Sequence, residues 1–340
     1  MKDISRIGLD LAKNVFQVHG VDSREEITVR RSLRRNQLLD WFGKLPPCLV
    51  GMEACATAHY WARELARLGH TVRLIPPSYA KAYVRRNKND AADAAAICEA
   101  VSRPSMRFVQ AKTEAQQAAA GIHRVREALI KQQTATMNAL RSLMGEFGIF
   151  AAKGHKGMDE LLATVADADD TRIPEPLHSG LVVFAKMLET LEAQLGKVDK
   201  ALADWGRTQK NTRRLCAIPG YGVVTASAIA ARVTNPQAFD SGRHFAASLG
   251  LVPRQDGTGG KVKLGSISKR GDGYLRKLLV NGAMSVLRSK QAKQDPWLKK
   301  LLATKPMKVV AVALANKNAR IGWAMLIRQE DFRPRQPAAA

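Results

Sequence analysis

Short apolar runs alternate with amphipathic helical patterns along the first 108 residues. An apolar run bounded by polar or turn residues is typical of a buried strand, and apolar positions that recur every three or four residues indicate a helix. Alternation of the two is typical of an α/β domain. The pattern predicts strands at 4–20, 26–33, 48–52 and 70–75, and helices at 36–44, at 58–68 and from Ser78 onward.

The chain becomes helical in character from Thr113 to about Trp205. Ala, Leu, Glu, Gln and Lys dominate two stretches, 113–150 and 181–202, and a Gly- and Asp-rich break separates them. Two such stretches predict a helical hairpin or a coiled coil. A solvated spacer, a dimerisation surface and an RNA-contacting surface all stay open as roles for these helices.

A turn-like motif opens the last third of the chain. Residues 215–222 are LCAIPGYG, and the helical pattern VVTASAIAARV follows them. A Pro-Gly-x-Gly turn between two short helices resembles the helix-hairpin-helix module, whose exposed backbone N–H groups hold a DNA phosphate without contacting bases. A tight turn that binds no ligand is the alternative.

Residues 250–273 are rich in glycine and in cations. Glycine lets a backbone approach a phosphate closely, and lysine or arginine neutralises it, although a merely flexible basic loop has the same composition. The hydroxyls of Thr258, Ser266 and Ser268 add a sharper hypothesis, which is a side-chain nucleophile that attacks the DNA backbone. The cations expected to contact phosphates are Arg254, Lys261, Lys263, Lys269 and Arg270.

The charge balance indicates a polyanionic partner. Lys and Arg number 54 against 30 Asp and Glu, a formal net charge of +24, and residues 241–340 hold 20 of these cations against 5 acids. The sequence contains no apolar run of about 18 residues and no signal-peptide pattern, so DNA or RNA is favoured over a membrane surface, and a cytoplasmic, nucleoid-associated protein is expected. The four cysteines form no Cys-x-x-Cys pair, which argues against a zinc site and a disulfide framework.

Four acidic residues stand out against this basic background. Asp10 lies within an apolar run that predicts a buried strand, where an unpaired charge costs on the order of several kcal/mol, and Glu53 ends a second run, where α/β sheets gather ligands. Asp90 and Asp93 stand three apart at a helix start, which puts both on one face. The alternative is that Asn89 or Asp90 is only an N-cap and that Asp93 is a favourable charge at the helix dipole. Hard Mg²⁺ prefers oxygen ligands, so the four acids together predict a site for phosphodiester chemistry.

Six segments then carry a resemblance to a known family: IGLDLAK, the Glu53 strand, NKNDAADAAAICEA, IPGYGVVTASAIAARV, GLVPRQDGTGGKVKLGSISKRGD and YLRKLLVNGA. In that order they resemble the DEDD transposases of bacterial insertion sequences, in the IS110 family and its IS1111 branch, over nearly the whole chain. The resemblance implies a recombinase guided by a structured bridge RNA that pairs with donor and target DNA. The expected organisation is an α/β RuvC-like (ribonuclease-H-like) domain at 1–110, an α-helical coiled-coil region at 111–206, a mainly α C-terminal transposase domain with a helix-hairpin-helix-like segment at 207–330, and a disordered tail at 331–340.

The resemblance also implies roles for particular residues. Its four acidic ligands, which hold Mg²⁺ or Mn²⁺, fall on Asp10, Glu53, Asp90 and Asp93. Its C-terminal nucleophile is a serine that becomes joined to DNA, and Thr258 occupies the matching position here, with Ser266 and Ser268 as alternatives. If acids and hydroxyl come from different subunits, the enzyme acts as at least a dimer, and the family suggests a tetramer. Two other functions stay open, namely a junction-resolvase-type nuclease that uses water as its nucleophile, and a non-catalytic nucleic-acid-binding protein.

Overall fold

The computed structural model of the protein describes residues 3–77, 79, 90–258 and 261–333. They form two compact units, one of residues 1–117 with 232–241 and the other of residues 118–231 with 242–340. The middle helices and the C-terminal region therefore share a unit. The three-part division of the chain, with its boundaries after 110 and 206, stays a prediction.

The first unit contains a mixed five-stranded sheet. The strand order is β3-β2-β1-β4-β5, in which β1 pairs antiparallel with β2, β2 antiparallel with β3, and β4 parallel with both β1 and β5. The predicted α/β character of this region is confirmed. The strands are β1 (Arg6–Asp10), β2 (Val15–Val21), β3 (Ile27–Arg34), β4 (Leu49–Glu53) and β5 (Thr71–Ile75).

The strand predicted at 4–20 was wrong, because the chain folds there into two strands. β1 ends at Asp10, and Asp10 is paired with Gln17 of β2 across the antiparallel ladder. The intervening residues 11–14 hold the polar pair Lys13 and Asn14, and the backbone carbonyl of Asn14 accepts a bond from Arg35 N–H. The reversal places Asp10 at the end of β1, opposite Gln17. In a single long strand these two residues would lie far apart.

Helices cover both faces of this sheet. On one face, Phe16, Phe42, Trp61 and Leu65 belong to a buried apolar core, in which the rings of Phe16 and Trp61 meet edge to face at 5.3 Å. The helices are α1 (Leu38–Phe42), which follows the 3₁₀ turn Arg35–Gln37, then α2 (Ala58–Arg67) and α3 (Asp90–Val101). They agree with the predictions at 36–44 and 58–68, whereas the helix predicted from Ser78 falls largely outside the described residues.

Two long helices dominate the middle of the chain, α4 (Glu114–Gly145) and α6 (Glu175–Thr208). In the second unit they run antiparallel, since Arg126 pairs with Asp199 at 2.5 Å while Thr136 donates to the Met187 sulfur at 3.9 Å. The break predicted between them contains a further helix, α5 (His155–Ala166), whose apolar residues recur at helical spacing and pack beside Leu140 and Leu188 of the long helices. The coiled-coil geometry itself stays a prediction.

The Pro-Gly-x-Gly segment forms a turn between two helices of the second unit. The helices of this region are α7 (Lys210–Leu215), α8 (Val223–Arg232), α9 (Gly242–Ser248), α10 (Gly273–Arg288), α11 (Lys290–Gln294), α12 (Pro296–Leu302) and α13 (Met307–Arg328). Gly220 has a φ of +89° and its carbonyl oxygen lies 1.9 Å from where a Cβ on Gly282 would sit, so the turn packs directly on α10. Tyr221 Oη donates to the Asn318 carbonyl at 3.0 Å and fastens the turn to α13. Phosphate binding by this turn stays a prediction.

The glycine-rich segment is not the loop that its composition predicts. Its residues pair as an antiparallel hairpin of β6 (Pro253–Thr258) and β7 (Lys261–Ile267), with Thr258 opposite Lys261 at the end of the ladder. The sequence between the two strands is Gly259-Gly260, which lies outside the described residues, and Gly-Gly between two strand patterns is a sequence signal for a hairpin. In the sequence, Lys261, Val262, Lys263 and Leu264 alternate polar and apolar residues, which is the period of two that is typical of a strand.

The state of the cysteines and the apolar length of the helices bear on two further sequence predictions. The thiols of Cys48, Cys55, Cys98 and Cys216 are free. In the described part of the chain no helix has the length and apolar character needed to cross a membrane.

Candidate metal centre

Asp10 and Glu53 are placed side by side by strand pairing. Asp10 is the last residue of β1 and Glu53 the last residue of β4, and the two strands are parallel, with Leu9 in register with Met52. Because parallel strands end at the same edge of a sheet, both carboxylates emerge at that edge and on the same face. This part of the predicted arrangement follows directly from the sheet.

The helix that carries Asp90 and Asp93 lies unusually close to the same face. Gly8 and Gly51 are register partners on β1 and β4, and α3 packs against them. A Cβ on Gly8 would lie 2.1 Å from the Ala94 carbonyl oxygen, and one on Gly51 would lie 2.7 Å from Val101 Cβ. The two glycines therefore permit a close approach that any other residue would block.

Three carboxylates meet where α3 crosses the end of β1. Asp10, Asp90 and Asp93 each offer an oxygen atom, and these atoms lie within 4.8 Å of one another. One Asp93 oxygen, Oδ1, is buried and has no hydrogen-bond partner. A buried carboxylate oxygen normally has a partner, and hard divalent cations prefer carboxylate ligands, so the donor set fits such a cation.

The electrostatics of Asp10 agree with this assignment. Burial, reinforced by the charges of Asp93, Asp90 and Glu53, raises the pKa of Asp10 from 3.8 to about 6. With no cation bound, the carboxyl therefore favours folding fully below pH 3.8, and that contribution is lost as the pH rises through about 6. A bound cation offsets this repulsion, because it holds the carboxylates together in their charged form.

Glu53 stands apart from the other three acids. Among the described residues, the carboxylate group that meets within 4.8 Å does not include it. Its charge nevertheless acts on this site, since it contributes to the raised pKa of Asp10 and to that of the Cys55 thiol. The structure thus brings three of the four predicted ligands together and leaves the fourth beside them.

The predicted nucleophile and DNA-binding cations lie on or next to the hairpin of the second unit. Thr258 is the last residue of β6, Arg254 lies on the same strand, and Lys261 and Lys263 lie on β7. Lys263 is the register partner of Asp256, an acid that the sequence analysis had not considered. Lys269, with a φ of +55°, and Arg270 are exposed in the segment that leads to α10. Glycine spacing alone had not indicated that Thr258 lies at the end of a strand ladder.

Fold and site together define a class of protein. A mixed sheet with a β3-β2-β1-β4-β5 order, acids at the ends of β1 and β4, and two more acids on a helix packed over that edge is consistent with a DEDD nuclease fold. Such domains depend on a divalent metal for cleavage of nucleic acid.

Comparison with known proteins narrows the class. Residues 7–149 match a DEDD transposase family model, and residues 212–300 match the model described as the transposase IS116/IS110/IS902 family. A probable family 20 transposase of Pseudomonas aeruginosa is 52% identical over 336 residues, covering 98% of this chain and 99% of that protein. Transposases of the insertion sequence elements IS1328 of Yersinia enterocolitica and IS1111A of Coxiella burnetii are 40% and 39% identical, covering 96% and 98% of this chain and 97% and 92% of the respective relatives.

This chain belongs to the IS116/IS110/IS902 family of transposases. It is a DNA transposase of an insertion sequence, as its sequence motifs predicted. The match over residues 7–149 spans all four acids, and the match over residues 212–300 spans the turn at Gly220 and the hairpin of β6 and β7, which contains Thr258.

Proposed function

We propose that the chain is a bridge-RNA-guided recombinase that cuts and exchanges DNA strands with Mg²⁺ and a covalent Thr258–DNA intermediate. The observation that carries the metal part is the meeting of Asp10, Asp90 and Asp93 around a buried, unpartnered Asp93 oxygen. In this proposal these three acids hold the cation with help from Glu53. When bound, Mg²⁺ or Mn²⁺ would neutralise and orient the scissile phosphate.

In the proposed reaction the phosphoryl group of the DNA is transferred from a sugar oxygen to the Thr258 hydroxyl, and then from Thr258 to another sugar hydroxyl. Thr258 Oγ1 attacks phosphorus, so a bond forms from Oγ1 to phosphorus and the bond from phosphorus to one sugar oxygen breaks. The threonine hydroxyl loses its proton, and the leaving sugar oxygen gains one. In the second transfer a sugar hydroxyl of the new strand attacks the same phosphorus and releases Thr258. The number of phosphodiester bonds is conserved, so no external energy source is required.

Thr258→Ala should abolish the covalent adduct, while Thr258→Ser should retain it, because serine supplies the same hydroxyl without the methyl group that crowds the attack. The measurement uses a fluorescent duplex that carries the junction between the element and its flanking DNA. The reaction is stopped with detergent, and labelled DNA that migrates with the protein on a denaturing gel is quantified. Loss should exceed about a hundredfold for Thr258→Ala, since a nucleophile is not replaced by its neighbours.

Ser266→Ala and Ser268→Ala are the matched controls, since both serines lie in the same segment as Thr258. They should form adduct at the wild-type rate. Adduct loss in one of them, with Thr258→Ala active, would reassign the nucleophile. Unchanged DNA cleavage by Thr258→Ala without any adduct would instead establish the water-dependent nuclease.

Nucleic-acid partners of both kinds are part of the proposal. The charge of +24 supports binding of DNA and a structured guide RNA, with Arg254, Lys261, Lys263, Lys269 and Arg270 as phosphate contacts. These contacts would give affinity without sequence preference, and base pairing of the guide would supply the specificity. Assembly as a dimer or tetramer and nucleoid association belong to the same proposal.

One discrete structured RNA, encoded by the non-coding end of the element, should co-purify with the protein. The measurement is expression of the chain together with its element's flanking DNA, followed by purification and sequencing of bound RNA. A purification at high salt serves as the control, because RNA held by charge alone dissociates as the salt concentration rises. Recovery of only random cellular RNA would contradict guidance by a bridge RNA.

A further inference from the structure

A polar row of side chains leads across the sheet away from the metal centre. Asp10 is in register with Gln17 on β2, and Gln17 is in register with Ser32 on β3. Register partners on neighbouring strands project from the same face, so the three side chains lie on one line. Ser32 Oγ donates to Gln17 Oε1 at 2.9 Å, which ties the outer two together.

Cations flank the outer end of this row. Arg30 and Arg34 stand two residues before and after Ser32, so all three project from the metal-bearing face of β3. Both arginines are exposed, and in the described ranges neither guanidinium pairs with a carboxylate. The edge strand thus presents positive charge beside a strongly acidic centre, an arrangement that a polyanion in contact with both would neutralise.

A cleft of about 430 Å³ lies between this row and helix α3. Gln17, His19, Arg30 and Ser32 line it from the sheet, and Ala91 and Ala95 line it from the helix. The small alanine side chains leave the space open, and none of the described residues that line it is acidic. Burial and the charges of Arg30 and Arg6 lower the pKa of His19, so at neutral pH the cleft holds a neutral imidazole beside the guanidinium.

We propose that this cleft binds a backbone phosphate of the DNA strand being cut, with the Arg30 guanidinium as its charged donor and the side-chain NH₂ of Gln17, whose amide oxygen accepts from Ser32, as its neutral donor. The inference rests on the proposed function, because it takes the metal centre as the place where that strand is cut. Arginine suits the role, since its planar guanidinium forms two parallel hydrogen bonds to a phosphate.

The distance between neighbouring strands determines how far from the cut the bound phosphate lies. Neighbouring strands lie about 4.8 Å apart, so Ser32 is about 10 Å from Asp10, two strands away. Because the backbone winds around the helix axis, successive phosphates of one strand are farther apart than the axial rise of about 3.4 Å, on the order of 7 Å, which makes the bound phosphate the one about one or two nucleotides from the cut. A phosphate at this distance would fix the direction in which the strand crosses the metal centre. This is the positioning that phosphoryl transfer requires.

The test removes single charges from both partners. Duplexes that carry the junction of the element and its flanking DNA are made with one methylphosphonate, which is uncharged, at successive positions from one to six nucleotides from the cut. Cleavage and binding are measured with the full-length chain and its co-purified RNA. Arg30→Gln should weaken DNA binding about tenfold, the effect of losing one charge-assisted contact. A methylphosphonate about one or two nucleotides from the cut should do the same to the wild-type protein.

The decisive result is the combination of the two changes. In Arg30→Gln the methylphosphonate at that position should have no further effect, because the contact is already lost. Arg24→Gln is the matched control, since Arg24 is an exposed arginine in the turn between β2 and β3, at the end of these strands away from Asp10. It should keep wild-type affinity and the wild-type sensitivity to each methylphosphonate.

Other outcomes overturn the inference or its basis. An unchanged methylphosphonate profile in Arg30→Gln would show that this cleft does not hold the DNA strand. A loss of guide RNA in Arg30→Gln, with DNA sensitivity unchanged, would assign the cleft to RNA. If the wild-type protein binds the junction but never cuts it, that result would contradict the proposed function itself. The inference takes the metal centre as the place where the strand is cut.

Discussion

Asp93→Asn is expected to lower the rate of DNA strand cleavage at least about a hundredfold while leaving the fold intact. The buried Asp93 Oδ1 has no hydrogen-bond partner, so it is the atom best suited to contact a cation. The amide removes the negative charge and replaces one oxygen with a group that donates rather than accepts. A loss of this size corresponds to about 3 kcal/mol, a modest share of what a metal ion supplies to phosphoryl transfer.

The measurement is cleavage of the junction duplex over a range of MgCl₂ concentrations, together with calorimetric titration of the DNA-free protein with Mn²⁺. Asp93→Asn should bind Mn²⁺ weakly and should unfold at the wild-type temperature or above, because one repulsive charge has gone. Glu99→Gln is the matched control on the same helix, where Glu99 is exposed and pairs with Arg103. Equal rates of DNA cleavage by Asp93→Asn and Glu99→Gln would contradict the assignment of the metal centre.

Gly8→Ala is expected to damage stability and metal binding together. The new Cβ would lie 2.1 Å from the Ala94 carbonyl oxygen and 2.4 Å from Cys98 N, and both atoms belong to the backbone of α3. The helix must move as a body, which should cost about 3 kcal/mol or more of unfolding free energy. That movement carries Asp90 and Asp93 away from Asp10, so Mn²⁺ affinity should fall about tenfold or more as well.

Urea denaturation and Mn²⁺ calorimetry on the same preparation measure both effects. Gly20→Ala is the control, because a Cβ on this second glycine of the sheet would meet its nearest neighbour, Val29 Cβ, at an ordinary 3.4 Å. Its unfolding free energy should change by less than about 1 kcal/mol. Should Gly8→Ala bind Mn²⁺ as tightly as the wild-type protein does, the close approach of α3 would not be what assembles the site.

The pattern of apolar and polar residues predicted a helix or strand correctly where the residues of that element alone decide its structure. The strands at Leu49–Glu53 and Thr71–Ile75 and the helix Ala58–Arg67 agree with prediction to within a residue or two, because continuous apolar runs and helical spacing are properties of the segment itself. The helix His155–Ala166 was hidden by the Gly and Asp residues around it, although Met158, Leu161 and Val165 show helical spacing. The hairpin of β6 (Pro253–Thr258) and β7 (Lys261–Ile267) was not predicted, because glycines were taken as a sign of a loop.

Strand pairing lay beyond the reach of sequence pattern. A single apolar run from Ile4 to Gly20 gave no indication that Asp10 ends one strand and that Gln17 lies opposite it. The register of two strands depends on which residues of distant segments pair with each other. An alternating pattern is compatible with every register that leaves the same residues on the same face, so the pattern does not select one of them. The cleft beside Arg30 therefore appears only once β1, β2 and β3 are assembled.

The sequence by itself determined the family, the α/β character of the first unit, the positive charge and the four acids, because motif order, periodicity and composition are written along one chain. The tertiary structure alone decided which acids meet. Gly8 and Gly51 let α3 lie against the sheet, so Asp90 and Asp93 reach Asp10, while Glu53 remains beside them. Distances between segments far apart in sequence are set by packing, and packing at this site depends on the absence of two Cβ atoms.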